Sequence, residues 1–235
     1  MKLSQQARPR DFPLPLKAVL FDLDGTLLDT APDLADAANR TLDEVGMPMV
    51  DAEIIRNFIG GGIAVLLKRA LAAALQREPD AEIFQRCLPL FEKHYARVML
   101  NRSRPFPGVV EGLQRMRRQG LHLACVTNKS ERFTLPLLEA SALRDFFELV
   151  VAGDSVSKKK PDPLPLIHAC AHFGVKPRET LLIGDSPLDT QAARAAGCPV
   201  FCVPYGYNQG RDVRELDCDA IVASLEHAAD LVIKA

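Results

Sequence analysis

The chain has 235 residues, 48% of them hydrophobic, enough to bury one large α/β core or a core of ordinary size with a smaller companion. Its 29 Lys and Arg against 30 Asp and Glu give a formal net charge of −1, which excludes the basic surplus of a dedicated nucleic-acid binder. Six cysteines without a Cys-x-x-Cys pair speak against disulfides and zinc, and no run reaches the roughly 18 apolar residues of a membrane span. Residues 1–15, rich in Arg, Gln and Pro, form an expected N-terminal tail without the apolar stretch of an export signal, so a cytoplasmic location is expected.

After that tail, Val19-Leu20-Phe21 is a continuous apolar run of the kind buried on both faces of a parallel sheet. Thr30-Ala31-Pro32-Asp33 carries the cap, proline and early acid of a helix start, and the spacing of Leu34, Ala38, Thr41 and Val45 extends that helix to Gly46. Helices are predicted over Ile54 to Phe58, Ile63 to Leu75 and Ile83 to Tyr95, with no strand-like alternation between them. On the last of these, Leu88 and Phe91 fit either an outward face for a second copy or internal packing, so a monomer and a homodimer are both open.

The turn-rich stretch from Arg102 to Gly108 marks a change. Beyond it the pattern alternates: helix from Val109, strand Leu121 to Val126, helix from Glu131, strand Leu149 to Ala152, helix from Pro163 and strand Leu181 to Ile183. A helix through Ala192 to Ala196, a strand Val200 to Val203, a short strand near Ala220 to Val222 and a helix Leu225 to Leu231 complete it. Such alternation calls for a mainly parallel sheet covered by helices on both faces. The expected fold class is therefore α/β: a Rossmann-like, mainly parallel sheet core of residues 16–30 and 104–235, with an inserted all-helical cap domain over residues 31–103.

Four strand ends carry polar residues. Asp22 and Asp24 follow the first strand, Thr127-Asn128 follows Leu121 to Val126, Lys158-Lys159-Lys160-Pro161 lies beyond Leu149 to Ala152, and Gly184-Asp185-Ser186-Pro187-Leu188-Asp189 follows Leu181 to Ile183. In a parallel sheet these ends point the same way, so the residues can converge. Gathered carboxylates repel unless a cation neutralises them; a hard divalent ion such as Mg²⁺ suits oxygen ligands, and the clusters contain no His or Cys. Lysine beside a hydroxyl and an amide calls for a small anion, and phosphate fits.

The carboxylates need not share one job. Asp22, first out of the strand, is best placed to attack phosphorus, and Asp24 to protonate the leaving oxygen and later deprotonate water. Gly25 permits the sharp turn. Thr127 and Asn128 would hold phosphoryl oxygens, while a lysine offsets their charge; of the three, Lys160 is favoured because Pro161 fixes the adjoining backbone. Asp185 would complete the metal ligands, and Asp189 would orient a metal-bound water or the lysine from behind them. From the cap, Gly60-Gly61-Gly62 ahead of a helix offers backbone N–H groups to a second anion, with Gly61 and Gly62 as expected substrate contacts. Lys68 or Arg69 would add charge there, unless both are ordinary surface residues.

This constellation resembles the haloacid-dehalogenase-like hydrolases, whose four motifs are matched by Asp22-Leu23-Asp24-Gly25-Thr26, Thr127-Asn128, Lys160-Pro161-Asp162-Pro163 and the run Gly184 to Asp189. The resemblance implies Asp22 as nucleophile, Asp24 as general acid/base, and Mg²⁺ held by Asp22, the backbone carbonyl of Asp24 and Asp185. It implies that Thr127 and Lys160 bind the transferring group. The second acid implies a phosphatase or a phosphomutase. Leu28 to Leu34, Ile59 to Gly62, Lys159 to Leu166, Ala196 to Pro199 and Pro204 to Gly210 are most similar to the bacterial phosphoglycolate phosphatases of that superfamily. The partner so implied is a small phosphorylated organic acid, with no nucleic acid and no membrane. An amino-sugar phosphate phosphatase, a sugar phosphomutase and a non-catalytic phosphate-sensing domain are the alternatives.

Overall fold

The computed structural model describes residues 11–235. The chain runs β1 (Leu14–Leu16), β2 (Ala18–Phe21), β3 (Leu28–Asp29), α1 (Ala31–Glu44), α2 (Ala52–Arg56), α3 (Ile63–Leu75), α4 (Ala81–Val98), β4 (Arg104–Pro105), α5 (Val109–Arg118) and β5 (His122–Val126). It continues with α6 (Glu131–Ala140), β6 (Leu149–Val151), α7 (Leu164–Phe173), β7 (Thr180–Gly184), α8 (Pro187–Ala196), β8 (Val200–Cys202), β9 (Ala220–Ile221), α9 (Leu225–Asp230) and β10 (Val232–Lys234).

Every residue of β2 is fully buried, which requires cover on both faces of the sheet. Side chains alternate as the pleat demands. Val19 and Phe21 join an apolar layer with Val109, Leu113 and Met116 of α5 and Leu225 of α9, whereas Leu20 joins Leu166 and Ala169 of α7 and Ala192 and Ala193 of α8 on the other side. The sheet has the order β6-β5-β2-β7-β8-β9, parallel throughout, with β2 at its centre. Ligand-facing residues on neighbouring strands therefore share one edge.

Helices α1 to α4 form a second apolar cluster, built on Leu34, Leu42, Ile55, Leu67, Phe91 and Tyr95. Phe91 and Tyr95 stack at 6.0 Å between ring centroids, so Phe91 packs inside and gives no apolar face to a second copy. No described helix is long and apolar enough to cross a membrane.

Two features depart from the expected elements. Of the N-terminal tail, residues 1–10 lie outside the described residues, but Leu14–Leu16 is a strand, paired in parallel with β10. The chain also leaves and re-enters the core through an antiparallel pair, Leu28 with Pro105 and Asp29 with Arg104. Two- and three-residue strands have no periodicity to read in a sequence; they exist because a distant backbone satisfies them.

Beside that crossing, the fully buried carboxylate of Asp33 accepts hydrogen bonds from the backbone N–H of Arg102 (3.0 Å), the N–H of Ser103 (2.8 Å) and the Ser103 hydroxyl (2.8 Å). The start of α1 is thus tied to the returning chain. Asp33→Ala would leave those donors without an acceptor, and we expect a loss of about 3 kcal/mol, or roughly 6–12 °C in Tm, in thermal unfolding. An unchanged Tm would show that the tie contributes nothing.

Candidate active site

Strand register decides what meets at the sheet edge. Phe21 lies level with Cys125 of β5 and Ile183 of β7, so Asp22 emerges between the strand ends that carry Thr127 and Asp185. The backbone N–H of Asp22 donates to Ile183 O (3.0 Å), extending the ladder by one residue and fixing the carboxylate at 6% exposure. Lys160 Nζ, itself buried, donates to Asp22 Oδ1 (2.9 Å) and to Asp189 Oδ1 (2.6 Å). The second oxygen of Asp189 accepts the N–H (3.1 Å) and hydroxyl (2.7 Å) of Ser186 at the start of α8. One carboxylate thereby fastens the helix and holds the lysine.

Asp185 is gripped from three sides. Its Oδ1 accepts from the Thr26 hydroxyl (3.1 Å), and its Oδ2 accepts the backbone N–H of Tyr207 (2.7 Å) and of Asn208 (3.4 Å). The loop can come this close only because position 206 is glycine: a Cβ there would lie 2.2 Å from that of Asp185. Gly25, at φ +87°, faces the same carboxylate, which a Cβ would approach to 2.5 Å.

One oxygen from each of Asp22, Asp185 and Asp189 lies within 4.8 Å of the others. A donor set of buried carboxylate oxygens, without nitrogen or sulfur, fits a hard divalent cation. Electrostatics agree. Burial above all, with the neighbouring Asp189 and against the pull of Lys160, raises the Asp22 carboxyl to about 7. Burial, then Asp189 and Asp22, raises Asp185 to about 8. Three acids share one ammonium, and the uncompensated charge is what a divalent ion would cancel.

The carboxylate of Asp24 turns toward a separate cation. Its Oδ1 accepts from the Thr30 hydroxyl (2.6 Å), and its Oδ2 lies 3.0 Å from Lys129 Nζ. Lys129 is 3% exposed and donates also to the hydroxyl of Tyr95 on α4 (2.9 Å), so core and helical insert meet at one ammonium. Burial pulls the Lys129 ammonium down, but Asp24 and Tyr95 outweigh it and the group stays charged. The hydroxyl of Tyr207 accepts the backbone N–H of Thr30 (2.6 Å) and Ala31 (2.9 Å), satisfying donors at the start of α1.

Thr127 is buried at the end of β5, where its hydroxyl accepts the N–H of Lys129 (3.2 Å) and keeps its own hydrogen to donate. Asn128 does other work than the phosphate contact expected of it. Its Nδ2 donates to Gly60 O (3.0 Å) and Lys160 O (2.9 Å), while its Oδ1 accepts the N–H of Lys160 (2.9 Å). Both amide hydrogens therefore fasten loops rather than face a ligand. Lys158 and Lys159 are exposed. Of the glycine loop, Gly60 and Gly62 join Asp24 and Lys129 around a chamber of about 10 Å³, whereas the atoms nearest a Cβ at Gly61 would be those of Val65 in the following helix. The expected charge from Lys68 or Arg69 is not delivered there. Lys68 pairs with Glu78 (3.2 Å) and Arg69 donates to Phe58 O (3.4 Å), both on the exterior.

A model of haloacid dehalogenase-like hydrolases matches residues 19–203, which span all four polar strand ends. The chain belongs to this family. It is 58% identical over 226 residues to the phosphoglycolate phosphatase of Thiobacillus denitrificans, covering 96% of this chain and 100% of that one. The corresponding protein of Nitrosospira multiformis is 58% identical over 223 residues, covering 95% and 98%. The crystal structure of a predicted phosphoglycolate phosphatase from Haemophilus somnus superposes with a TM-score of 0.86 at 34% identity, over 91% of this chain and 96% of that one.

Within the hydrolase, sequence reasoning missed Lys129, Tyr95 and Tyr207. A lysine directly after Thr127-Asn128 was a usable signal, since Asp24 needs a compensating cation once buried. Tyr95 gave none, because it acts on a residue more than thirty positions away, and Tyr207 stood within the run Pro204 to Gly210 that carried the resemblance without any sign of its contact to the start of α1.

The raised carboxyls set a pH dependence. A group whose folded pKa lies above its unfolded one adds stability below the ordinary carboxylate range and loses it as pH climbs through the folded value. For metal-free protein, this contribution falls between the ordinary carboxylate range and about 8, the value to which Asp185 is raised. Divalent cation should therefore raise Tm more at about pH 8.5 than at about pH 5.5. In Gly206→Ala, where the new Cβ displaces Asp185, most of that increment should vanish. An equal increment at both pH values would exclude these carboxyls as the metal-linked groups.

Proposed function

We propose that this chain is a Mg²⁺-dependent phosphomonoesterase that converts 2-phosphoglycolate and water to glycolate and phosphate. The observation that carries this reading is the buried Asp22 carboxylate, aimed from the central strand and held by Lys160 beside two further acids. Relatives at 58% identity over nearly the whole chain bear the name phosphoglycolate phosphatase.

In this mechanism an Asp22 oxygen attacks phosphorus as the bond from phosphorus to the glycolate oxygen breaks, and Asp24 gives that oxygen its proton. Water then attacks the aspartyl phosphate and loses a proton to Asp24, and the Asp22 carboxylate departs intact. Thr127 and Lys160 bind the equatorial oxygens on which charge accumulates. Asp22, the backbone carbonyl of Asp24 and Asp185 would hold Mg²⁺, with Asp189 fixing Lys160 behind them. When bound, Mg²⁺ draws charge from the phosphoryl group and relieves the repulsion among the acids. Residues 31–103 act as a cap domain over a core of residues 16–30 and 104–235, excluding bulk water from the acyl phosphate.

Steady-state rates on a panel of small phosphate esters with excess Mg²⁺ test the reading. We expect kcat/KM for 2-phosphoglycolate to exceed that for sugar and amino-sugar phosphates at least about tenfold, near 1.4 kcal/mol of transition-state preference. Asp22→Asn should lower kcat by about a thousandfold or more, as loss of a nucleophile does. A flat profile would indicate a broad phosphatase, transfer between hydroxyls of one sugar a mutase, and a long-lived phosphoprotein with negligible turnover a sensing domain.

A further inference from the structure

The chamber beside Asp24 has an unusual lining for its size. Ile59, Ile63 and Leu66 wall it with hydrocarbon, and its charged members are Asp24 and Lys129. At about 10 Å³ it holds no more than about one water, so a leaving group of any length requires the cap helices to shift, and a short one requires less movement than a sugar. Lys129 Nζ has three hydrogens. Two engage Tyr95 and Asp24, at 2.9 and 3.0 Å, and the third is available to the chamber that this residue lines.

A second, independent feature favours an anion at the same place. Gly62 is the N-cap of α3, supplies no side-chain acceptor to the helix, and lines the chamber together with Ile63. The first-turn N–H groups of a thirteen-residue helix thus begin at the chamber wall, where the helix dipole adds positive potential. A buried ammonium and a helix N-terminus, set in an apolar wall beside the group that faces the leaving oxygen, make a receptor for a carboxylate.

We propose that Lys129, with the N-terminus of α3, binds the carboxylate of the substrate's leaving group and is the residue that selects a two-carbon acid over neutral esters of equal size. The proposal rests on the reading of Asp24 as the group facing the leaving oxygen. In glycolate the hydroxyl and carboxylate sit on adjacent carbons, so a ligand touching Asp24 with one can reach Lys129 with the other. Tyr95 acts as a positioning residue: its hydroxyl orients the ammonium from the cap, so recognition is complete only when the cap lies against the core. Lys68 and Arg69, the cations nearer in sequence to the glycine loop, take no part.

The test compares 2-phosphoglycolate with ethyl phosphate, which replaces the carboxylate by a methyl group, on the Mg²⁺-loaded full chain. Both rates should fall in Lys129→Met, because Asp24 loses its partner. The preference for 2-phosphoglycolate should fall a further thirtyfold or so, the scale of a lost charge-assisted contact. With ethyl phosphate as substrate, glycolate should inhibit at least about tenfold more weakly. Lys129→Arg should recover part of the preference, and Tyr95→Phe, which keeps the ring, should lower it about threefold to tenfold. These milder variants decide the matter if Lys129→Met does not fold. Equal losses on both esters, with glycolate inhibition unchanged, would overturn the proposal and leave Lys129 as a partner of Asp24 alone. A wild-type chain without preference for 2-phosphoglycolate would instead overturn the substrate reading, so the two failures are distinct.

Discussion

Three buried carboxylates around one lysine ammonium set the terms for the rest of this molecule. Asp22, Asp185 and Asp189 bring their oxygens within 4.8 Å, and Lys160 bridges the first and the last. Like charges at that separation, away from water, are destabilising unless each oxygen has a donor or a cation. The fold supplies those donors one by one: the N–H and hydroxyl of Ser186, the hydroxyl of Thr26, and the backbone N–H groups of Tyr207 and Asn208. What remains uncompensated is carried as a raised proton affinity at Asp22 and Asp185. A site poised in this way can hold a divalent ion, which would cancel the surplus negative charge.

Among the described residues, several polar contacts close the helical insert on itself or fasten it to the core. Asp33 gathers the returning backbone at Arg102 and Ser103, Asn128 joins Gly60 to the Lys160 loop, and Lys129 joins Tyr95 to Asp24. Two of these ties use residues that directly follow Thr127 at the end of β5. The proposed phosphate-binding position and the cap attachments are consequently one structural unit. Movement of the helices relative to the sheet would alter the surroundings of Asp24 before it altered those of Asp22, whose lysine and neighbouring acids all come from the core. This separates the two carboxylates mechanically, as their proposed roles separate them chemically.

Much of the architecture was legible in the sequence. Continuous apolar runs marked the central strands, and the helix over Ile63 to Leu75 was given by its spacing with both ends correct. The polar residues after each strand were readable as one site because parallel connections force a common edge. Lys160 was favoured over its neighbours through Pro161, and it alone of the three lysines is buried. The short pairs β1 with β10 and β3 with β4 were not readable, since they owe their existence to backbone groups far along the chain.

Residue type, order along the chain and hydrophobic period thus determined the sheet, the insertion and the acidic centre, because those are properties of local pattern and strand direction. Tertiary structure alone decided where individual side chains turn. It aimed Asn128 at backbone rather than ligand, placed Lys68 and Arg69 outside, and buried Lys129 between Asp24 and Tyr95. The reason is physical. A long cationic side chain has no preferred direction of its own, and the partner that fixes it is chosen by packing between elements that the sequence does not place side by side.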